Sequence, residues 1–308
     1  MAAPPPSAAR RLLAAEMAAG PLPPLLVAAQ RVAAASGLGN HGRRRQGRGD
    51  DFWQFRPYAP GDSAAMIDWR QTAKGERAAV REREWSSSQT VYLWRACGSS
   101  QAWRSQATLP DKQNRCDLLL LALAVLLQRG GERLALLSAG DPSLAATRAC
   151  HHLPQIAERL HRPPATSDDA ELSLPPALPL PRHATAVLLA DFLTPIPETV
   201  ARLRTLAAEG ADGHLLQVLD PAEEGFPFHG RMRFEAPGDT HTALLTSRAE
   251  DLRAAYHQRL SHHRAALADA ARAVGWTFAV HHTDHPPQQA LGTLFHALSL
   301  PSAPGGRS

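Results

Sequence analysis

TAVLLADFLTPIPETVARLRTLAAEGADGHLLQVLD, residues 185–220, is the stretch that decides the fold. Its first seven residues, TAVLLAD (185–191), form an unbroken apolar run closed by an acid. A strand with one face in water alternates apolar and polar residues, whereas a strand covered on both faces reads as a continuous apolar run. Helical spacing follows over Pro197–Glu209, and HLLQVLD (214–220) then reads as a further strand with the same closing acid. Strands of this length separated by helices of a dozen residues predict a parallel sheet with helices on both faces.

The alternation extends outward in both directions. Upstream, VYLWR (91–95) reads as a short apolar strand, and DKQNRCDLLLLALAVLLQRGG (111–131) as a buried helix opened by Asp111 and stopped by Gly130 and Gly131. RLALLS (133–138) is a further strand, residues 147–161 an amphipathic helix, and the Pro-rich segment 162–182 a linker or surface excursion. Downstream, residues 221–247 read as irregular, Arg248–Val274 as a long helix, WTFAVHH (276–282) as a strand and Pro287–Leu298 as a last helix. The expected fold is α/β, a doubly wound and mostly parallel sheet, over residues 91–300. Before it, residues 1–40 predict an N-terminal helical segment broken at Pro21–Pro24, where proline removes a donor and clashes with the preceding turn. Residues 41–90 are expected to form a small β-rich region, and 301–308 a disordered tail.

Composition narrows the function classes. The chain has 308 residues, 33 basic and 29 acidic. Residues 41–95 hold 11 of the basic and 7 of the acidic side chains, which leaves 22 of each elsewhere. Arginine accounts for 31 of the 33 basic residues; the lysines are Lys74 and Lys112. That bias, together with abundant Ala and Pro, marks codon usage rather than a nucleic-acid field. Cys97, Cys116 and Cys150 make no CxxC pair, which fits a reducing cytoplasm. The longest apolar helical run, Leu118–Leu127, is about half a membrane span. No signal peptide is recognisable at the N-terminus. A cytoplasmic protein with no membrane span and no nucleic-acid partner is expected.

Residues 47–70 carry a more specific order, G-R-G-D-D-F-W-Q-F-R-P-Y-A-P-G-D-S-A-A-M-I-D-W-R. It closely resembles the signature of the bacterial domain-of-unknown-function 58 family: Gly-x-Gly, an acid and Phe, then Arg-x-Tyr-x-x-Gly-Asp and Ile-Asp-Trp. The resemblance continues through Ala73 and Val80, and resumes in LQVLDPAEEGFPFHG, which ends at Gly230, and in GWTFAVHHTD (275–284). It implies that the C-terminal part is similar to a von Willebrand factor A domain. It also implies a MoxR-type AAA+ ATPase as partner, in a chaperone-like system. Read physically, Gly47 and Gly49 allow positive φ or a close backbone approach. Pro60-Gly61-Asp62 makes a turn, Arg56 can pair with Asp62 or Asp68, and Tyr58 and Trp69 offer apolar area with a polar tip. These residues either hold the β-rich element together or form a partner-binding surface.

The same resemblance raises a metal question. Von Willebrand A domains often bind Mg²⁺ through Asp-x-Ser-x-Ser after the first strand, a Thr from another loop and a later Asp. Here Ala96 stands at the motif's Asp and Gly98 at its first Ser; Ser100 and the later Asp191 match, with Thr147 a weak candidate for the Thr. One carboxylate and one hydroxyl carry too little charge to dehydrate Mg²⁺. Ser100 and Asp191 are therefore expected to be a degenerate remnant of a metal-ion-dependent adhesion site, with no cofactor, and Asp191 to cap the helix after it.

The remaining constellations have plain readings. His151–His152, His262–His263, and His281–His282 with His285 are expected at the surface or in structural roles, with His262 and His263 on a solvated helix face. Arg43, Arg44, Arg45 and Arg48 have no stacking module beside them and are followed at once by Asp50 and Asp51. There is no Walker A sequence, and Ser87 and Ser138 lie in no nucleophile elbow. The leading expectation is a non-catalytic interaction module whose contact surface is the strand-end rim, with Trp103 and Phe192 as apolar anchors. The alternative is a metal-dependent hydrolase or transferase using Asp191, Asp220 and His285.

Overall fold

The computed structural model describes residues 51–57, 72, 79–84, 90–129, 132–137, 153–161, 168–182, 184–236 and 239–299. The expected helices of 1–40, the basic loop 41–50 and the tail 301–308 lie outside the described residues. Two compact units divide the chain: Ala28–Ser88, and Met1–Val27 together with Gln89–Ser308. In the smaller unit, β1 (Asp51–Pro57) pairs antiparallel with β2 (Ala79–Glu84), with an irregularity between Phe52 and Gln54.

The larger unit is built on five strands: β3 (Thr90–Arg95), β4 (Arg133–Leu136), β5 (Thr185–Ala190), β6 (Asp212–Leu219) and β9 (Thr277–His282). Their order is β4-β3-β5-β6-β9, and every pair is parallel. This is the doubly wound α/β architecture that the strand and helix alternation predicts.

Why the strands read as continuous apolar runs is visible in the packing. Alternate residues of each strand point to opposite faces. Val91, Leu93, Val187, Leu189, Leu216 and Val218 meet α1 (Lys112–Arg129), α2 (Leu153–His161) and α7 (Pro287–Ser299). Tyr92, Trp94, Ala186, Leu188, Ala190 and Leu215 meet α4 (Ile196–Ala207) and α6 (Arg253–Ala273) on the other side. Helices cover both faces, so the strand positions are mostly apolar, and a buried polar residue such as Gln217 is hydrogen-bonded internally. Asp111 opens α1 as expected: its Oδ1 accepts the Asn114 backbone N–H at 2.7 Å, filling one of the helix's unpaired donors.

Three expectations need correction. Residues 221–247 carry regular structure: a short helix α5 (Pro221–Gly225) leads into a hairpin of β7 (Met232–Ala236) and β8 (Asp239–Thr246). The charged and Thr-rich sequence hid this hairpin because it stands apart from the main sheet and needs no apolar run. Second, the later part of the Pro-rich segment is packed rather than looped out. It carries the short helix α3 (Asp169–Ser173), and Leu172, Leu174 and Leu180 are buried. Third, Phe192 is wholly buried, 6.4 Å from the Trp94 ring, with φ at +49°.

Candidate functional site

The strand order fixes where a site can form. From β3 the chain passes to β4 on one side, and from β5 onward it moves to the other side. The loops leaving the C-terminal ends of β3 and β5 therefore diverge, and open α/β sheets bind ligands at such a divergence. At this place Ala96 continues the ladder, donating its N–H to the Leu189 carbonyl at 3.0 Å, and the chain then turns away. Asp191 ends β5 beside it.

The partner of Asp191 is a lysine. Lys112, the first residue of α1, places its Nζ 2.9 Å from Asp191 Oδ2 and 2.5 Å from Glu223 Oε1. Its side chain is 1% exposed. Burial works against the ammonium, but the two carboxylates outweigh it and hold the Lys112 pKa above the ordinary lysine value. The triad keeps one surplus negative charge away from water. Burial accordingly raises the Glu223 carboxyl above the usual range, against the pull of Lys112.

Neighbouring acids are also committed internally. Asp220, fully buried, caps α5 in a capping box: its Oδ1 accepts the Ala222 N–H at 2.8 Å, while Glu223 Oε2 accepts the Asp220 N–H at 2.8 Å. Asp220 Oδ2 accepts the Ser105 N–H at 2.9 Å, tying the loop after β3 to α5. Further along the rim, Arg264 forks onto Glu224, with Nη1 3.1 Å from Oε1 and Nη2 on Oε2. That fork, more than any other influence, lowers the Glu224 pKa. His282 Nε2 donates to the same carboxylate at 3.2 Å. Gln217 links the two groups: its Nε2 donates to the Asp191 carbonyl at 2.8 Å and its Oε1 accepts from Arg264 Nε at 3.3 Å. His263 Nε2 donates to the Phe192 carbonyl at 2.6 Å. His263 and Arg264 thus belong to the rim, where a solvated helix face was expected.

The loop after β3 is held from the far side by α3. Ser99 donates its N–H to Asp169 Oδ1 at 2.5 Å and its hydroxyl to Oδ2 at 3.1 Å. A Cβ on Gly98 would sit 2.1 Å from Ser173 Oγ, so glycine permits this close packing. The following turn leaves Trp103 37% exposed. Trp103 walls an open groove of about 490 Å³, with Arg104, Ser105, Pro221, Pro227 and Phe228.

The sequence-predicted residues are distributed as follows. Asp191, Asp220 and His285 share one rim, yet no hydrogen bond joins any two of them; the exposed His285 ring lies 5.3 Å from that of His282. No hydrogen bond brings Ser100 to Asp191; Ser100 Oγ instead accepts weakly from Gln101 Nε2 at 3.4 Å. Asp191 does not cap α4, whose cap position is Pro195 with no side-chain bond. Phe192 faces the core, and the exposed apolar side chain beside it is Leu193. Arg56 lies in β1 opposite Val80. Tyr58, Asp62, Asp68, Trp69, Thr147, His151, His152, Ser87, Ser138 and Arg43–Arg48 lie outside the described residues.

Lys112 and Glu223 were missed by sequence reasoning, although both left a signal. A lysine opening a helix is out of place, because the positive end of the helix dipole favours acids there. Asp220-Pro-Ala-Glu223 is a legible capping box ahead of a short helix.

These residues do not fit the Mg²⁺ that a von Willebrand A domain often holds. Asp191 already neutralises an ammonium, Ala96 offers no ligand, and Asp220 is spent on backbone donors. Among the described residues, no group of three or more His, Cys, Asp or Glu side chains is arranged to hold a metal ion.

Comparison with known proteins gives family and relatives. The model of the family described as protein of unknown function DUF58 matches residues 54–266. Uncharacterized proteins of Mycobacterium tuberculosis and Mycobacterium bovis are each 26% identical over 248 residues, covering 77% of this chain and 76% of theirs. A crystal structure of an aerotolerance-related membrane protein from Bacteroides fragilis, with multiple mutations to serines, aligns with 68% of this chain and 98% of its own. The TM-score is 0.40 and the identity 13%. No helix among the described residues is long and apolar enough to cross a membrane.

Proposed function

The chain belongs to the DUF58 family, and from that premise we propose that it is a non-catalytic protein-interaction module acting in the cytoplasm. Its proposed partner is a MoxR-type AAA+ ATPase, to which it serves as adaptor in a chaperone-like system. One observation carries the reading: the strand-end acids are already engaged by donors from within the chain. Asp191 holds Lys112, and both Asp220 oxygens accept backbone N–H groups. A general base or a metal ligand needs a free lone pair aimed at its substrate, and these have been turned inward. The apolar groove beside them, open at Trp103 and Phe228, faces outward. Half-exposed aromatic side chains in a concave surface supply contact energy on docking.

The test is capture of the purified ATPase on the immobilised chain. Wild type retains it, and Trp103→Asp, which puts a charge into the groove, reduces retention at least tenfold. Equal retention by both proteins would reject this surface. Turnover of hydrolase substrates by wild type, abolished in Asp220→Asn, would replace the reading with the enzymatic alternative.

A further inference from the structure

We propose that the Lys112 ammonium stands where a hard divalent cation stands in a metal-bearing strand-end pocket, so that the rim is organised by a cation the chain carries itself. This does not depend on the identity of any partner.

Three observations converge on it. The first is position. Lys112 Nζ lies at the divergence of β3 and β5, bonded to the acid that ends β5 and to the acid of the α5 capping box. It thereby joins three elements, α1, β5 and α5, as a bridging ion would. The second is charge. Ala96, after the end of β3, offers no carboxylate, so the acids bonded to the Lys112 ammonium are Asp191 and Glu223. A divalent ion placed there would compete with the ammonium for both. The third is chemical type. In a chain with 31 arginines and two lysines, it is a lysine that is buried between the carboxylates of Asp191 and Glu223. An ammonium is a compact point charge with three rotatable donors, whereas a guanidinium is a planar fork that fixes the direction of its partners. Two carboxylate oxygens from different elements, at 2.9 and 2.5 Å from one nitrogen, suit the first better than the second.

The consequence reaches the groove. Glu223 also accepts the Asp220 N–H, and Asp220 accepts the Ser105 N–H beside Trp103. The internal cation therefore sets the position of both groove walls, and the surface is independent of dissolved metal.

The experiment reads thermal unfolding of the full chain with Mn²⁺ or EDTA, and bound Mn²⁺ by electron paramagnetic resonance. Wild type is expected to show no change in Tm with either and no bound Mn²⁺. Lys112→Ser, which empties the position and leaves an oxygen, should lose on the order of 10 °C. It should bind Mn²⁺ and recover roughly half of that loss. Lys112→Arg keeps the charge but should lose stability without gaining any response to Mn²⁺. The proposal is overturned if Mn²⁺ stabilises wild type, if Lys112→Ser keeps the wild-type Tm, if its loss is not relieved by Mn²⁺, or if Lys112→Arg is as stable as wild type. Should Lys112→Ser fail to fold without metal, it is refolded with and without Mn²⁺: folding only with Mn²⁺ supports the proposal, and failure to fold in both overturns it.

Discussion

The two halves of the strand-end rim share α5 and differ in every other respect. On one side Lys112, Asp191 and Asp220 are buried and Glu223 is largely covered, and they are bonded to one another or to backbone N–H groups. On the other, Trp103, Pro227 and Phe228 border an open groove. Ligand sites of open α/β sheets lie at the strand ends, and charged residues there commonly carry the chemistry. Here the charges are bonded within the chain, and on the proposed reading the apolar residues are the ones a partner would meet. Substitutions in the two halves should therefore separate stability from binding.

The largest effect is expected from Asp191→Ala. It leaves Lys112 balanced by Glu223 but removes the acceptor that ties α1 to β5 and vacates the space of a buried carboxylate. The lost charge-assisted hydrogen bond and the void together cost about 3–5 kcal/mol, read as a fall in the urea midpoint without a change in slope. If Asp191→Ala and Trp103→Ala proved equally costly, the contrast between a structural half and an available half would fail.

Acidification should expose a second structural charge, His281. Its side chain is buried, and burial, reinforced by the Arg115 cation and then by His285 and His282, lowers its pKa to about 4, against a minor opposing pull from Asp284. Between the ordinary histidine value and about 4, the unfolded chain binds a proton that the folded chain refuses. The stability that this neutral ring contributes is complete above the ordinary value and is lost as pH falls through the window, on the order of 3 kcal/mol in total. Glu223, raised by burial, acts in the opposite sense just above the usual glutamate range. The measurement is therefore the difference between wild type and His281→Gln from pH 7 to pH 4, which should shrink as pH falls. A constant difference would remove His281 from the structural half.

The sheet was legible in the sequence because its cause is repetitive: strands covered on both faces are apolar at most positions, as TAVLLAD and, apart from His214 and Gln217, HLLQVLD show. Asp191 was legible for a similar reason, as the acid closing such a strand. Its partner was not. Lys112 lies 79 residues away, and nothing in a local pattern says which cation will be folded against which acid. Phe192 shows the opposite failure. An aromatic residue just past a strand reads as a surface anchor, but the left-handed turn at φ +49° carries its ring back beside Trp94 and leaves Leu193 outside. The hairpin β7–β8 escaped because a sequence rich in Thr, Arg and His looks like loop composition.

A control of intermediate size lies away from the rim. A Cβ at position 213 would come within 2.2 Å of the Trp276 ring, whose Nε1 donates to the Ala211 carbonyl at 2.8 Å. Gly213→Ala forces that buried indole to move and should cost about 1–3 kcal/mol. Because the change is made in the sheet rather than at the rim, ATPase capture should be unaltered at temperatures where the protein stays folded. Lost capture with full folding would mean that the binding surface extends beyond the groove.

The smallest effect on stability should come from Trp103→Ala, and it sharpens the contrast most. The indole has only part of its surface covered, and its neighbours Arg104, Pro227 and Phe228 border solvent whether or not the ring is present. Truncation opens no closed cavity and leaves no buried donor unpaired, the two routes by which core substitutions become costly. The expected loss is about 1 kcal/mol or less. In a bound complex the same ring would lose its remaining contact with water, and aromatic residues of that kind often contribute about 2 kcal/mol or more to affinity. A change in Tm within a few degrees alongside a tenfold or greater loss of partner affinity is the expected signature. The reverse pattern, a large fall in Tm with affinity unchanged in the folded fraction, would assign Trp103 to the frame together with Lys112 and Asp191.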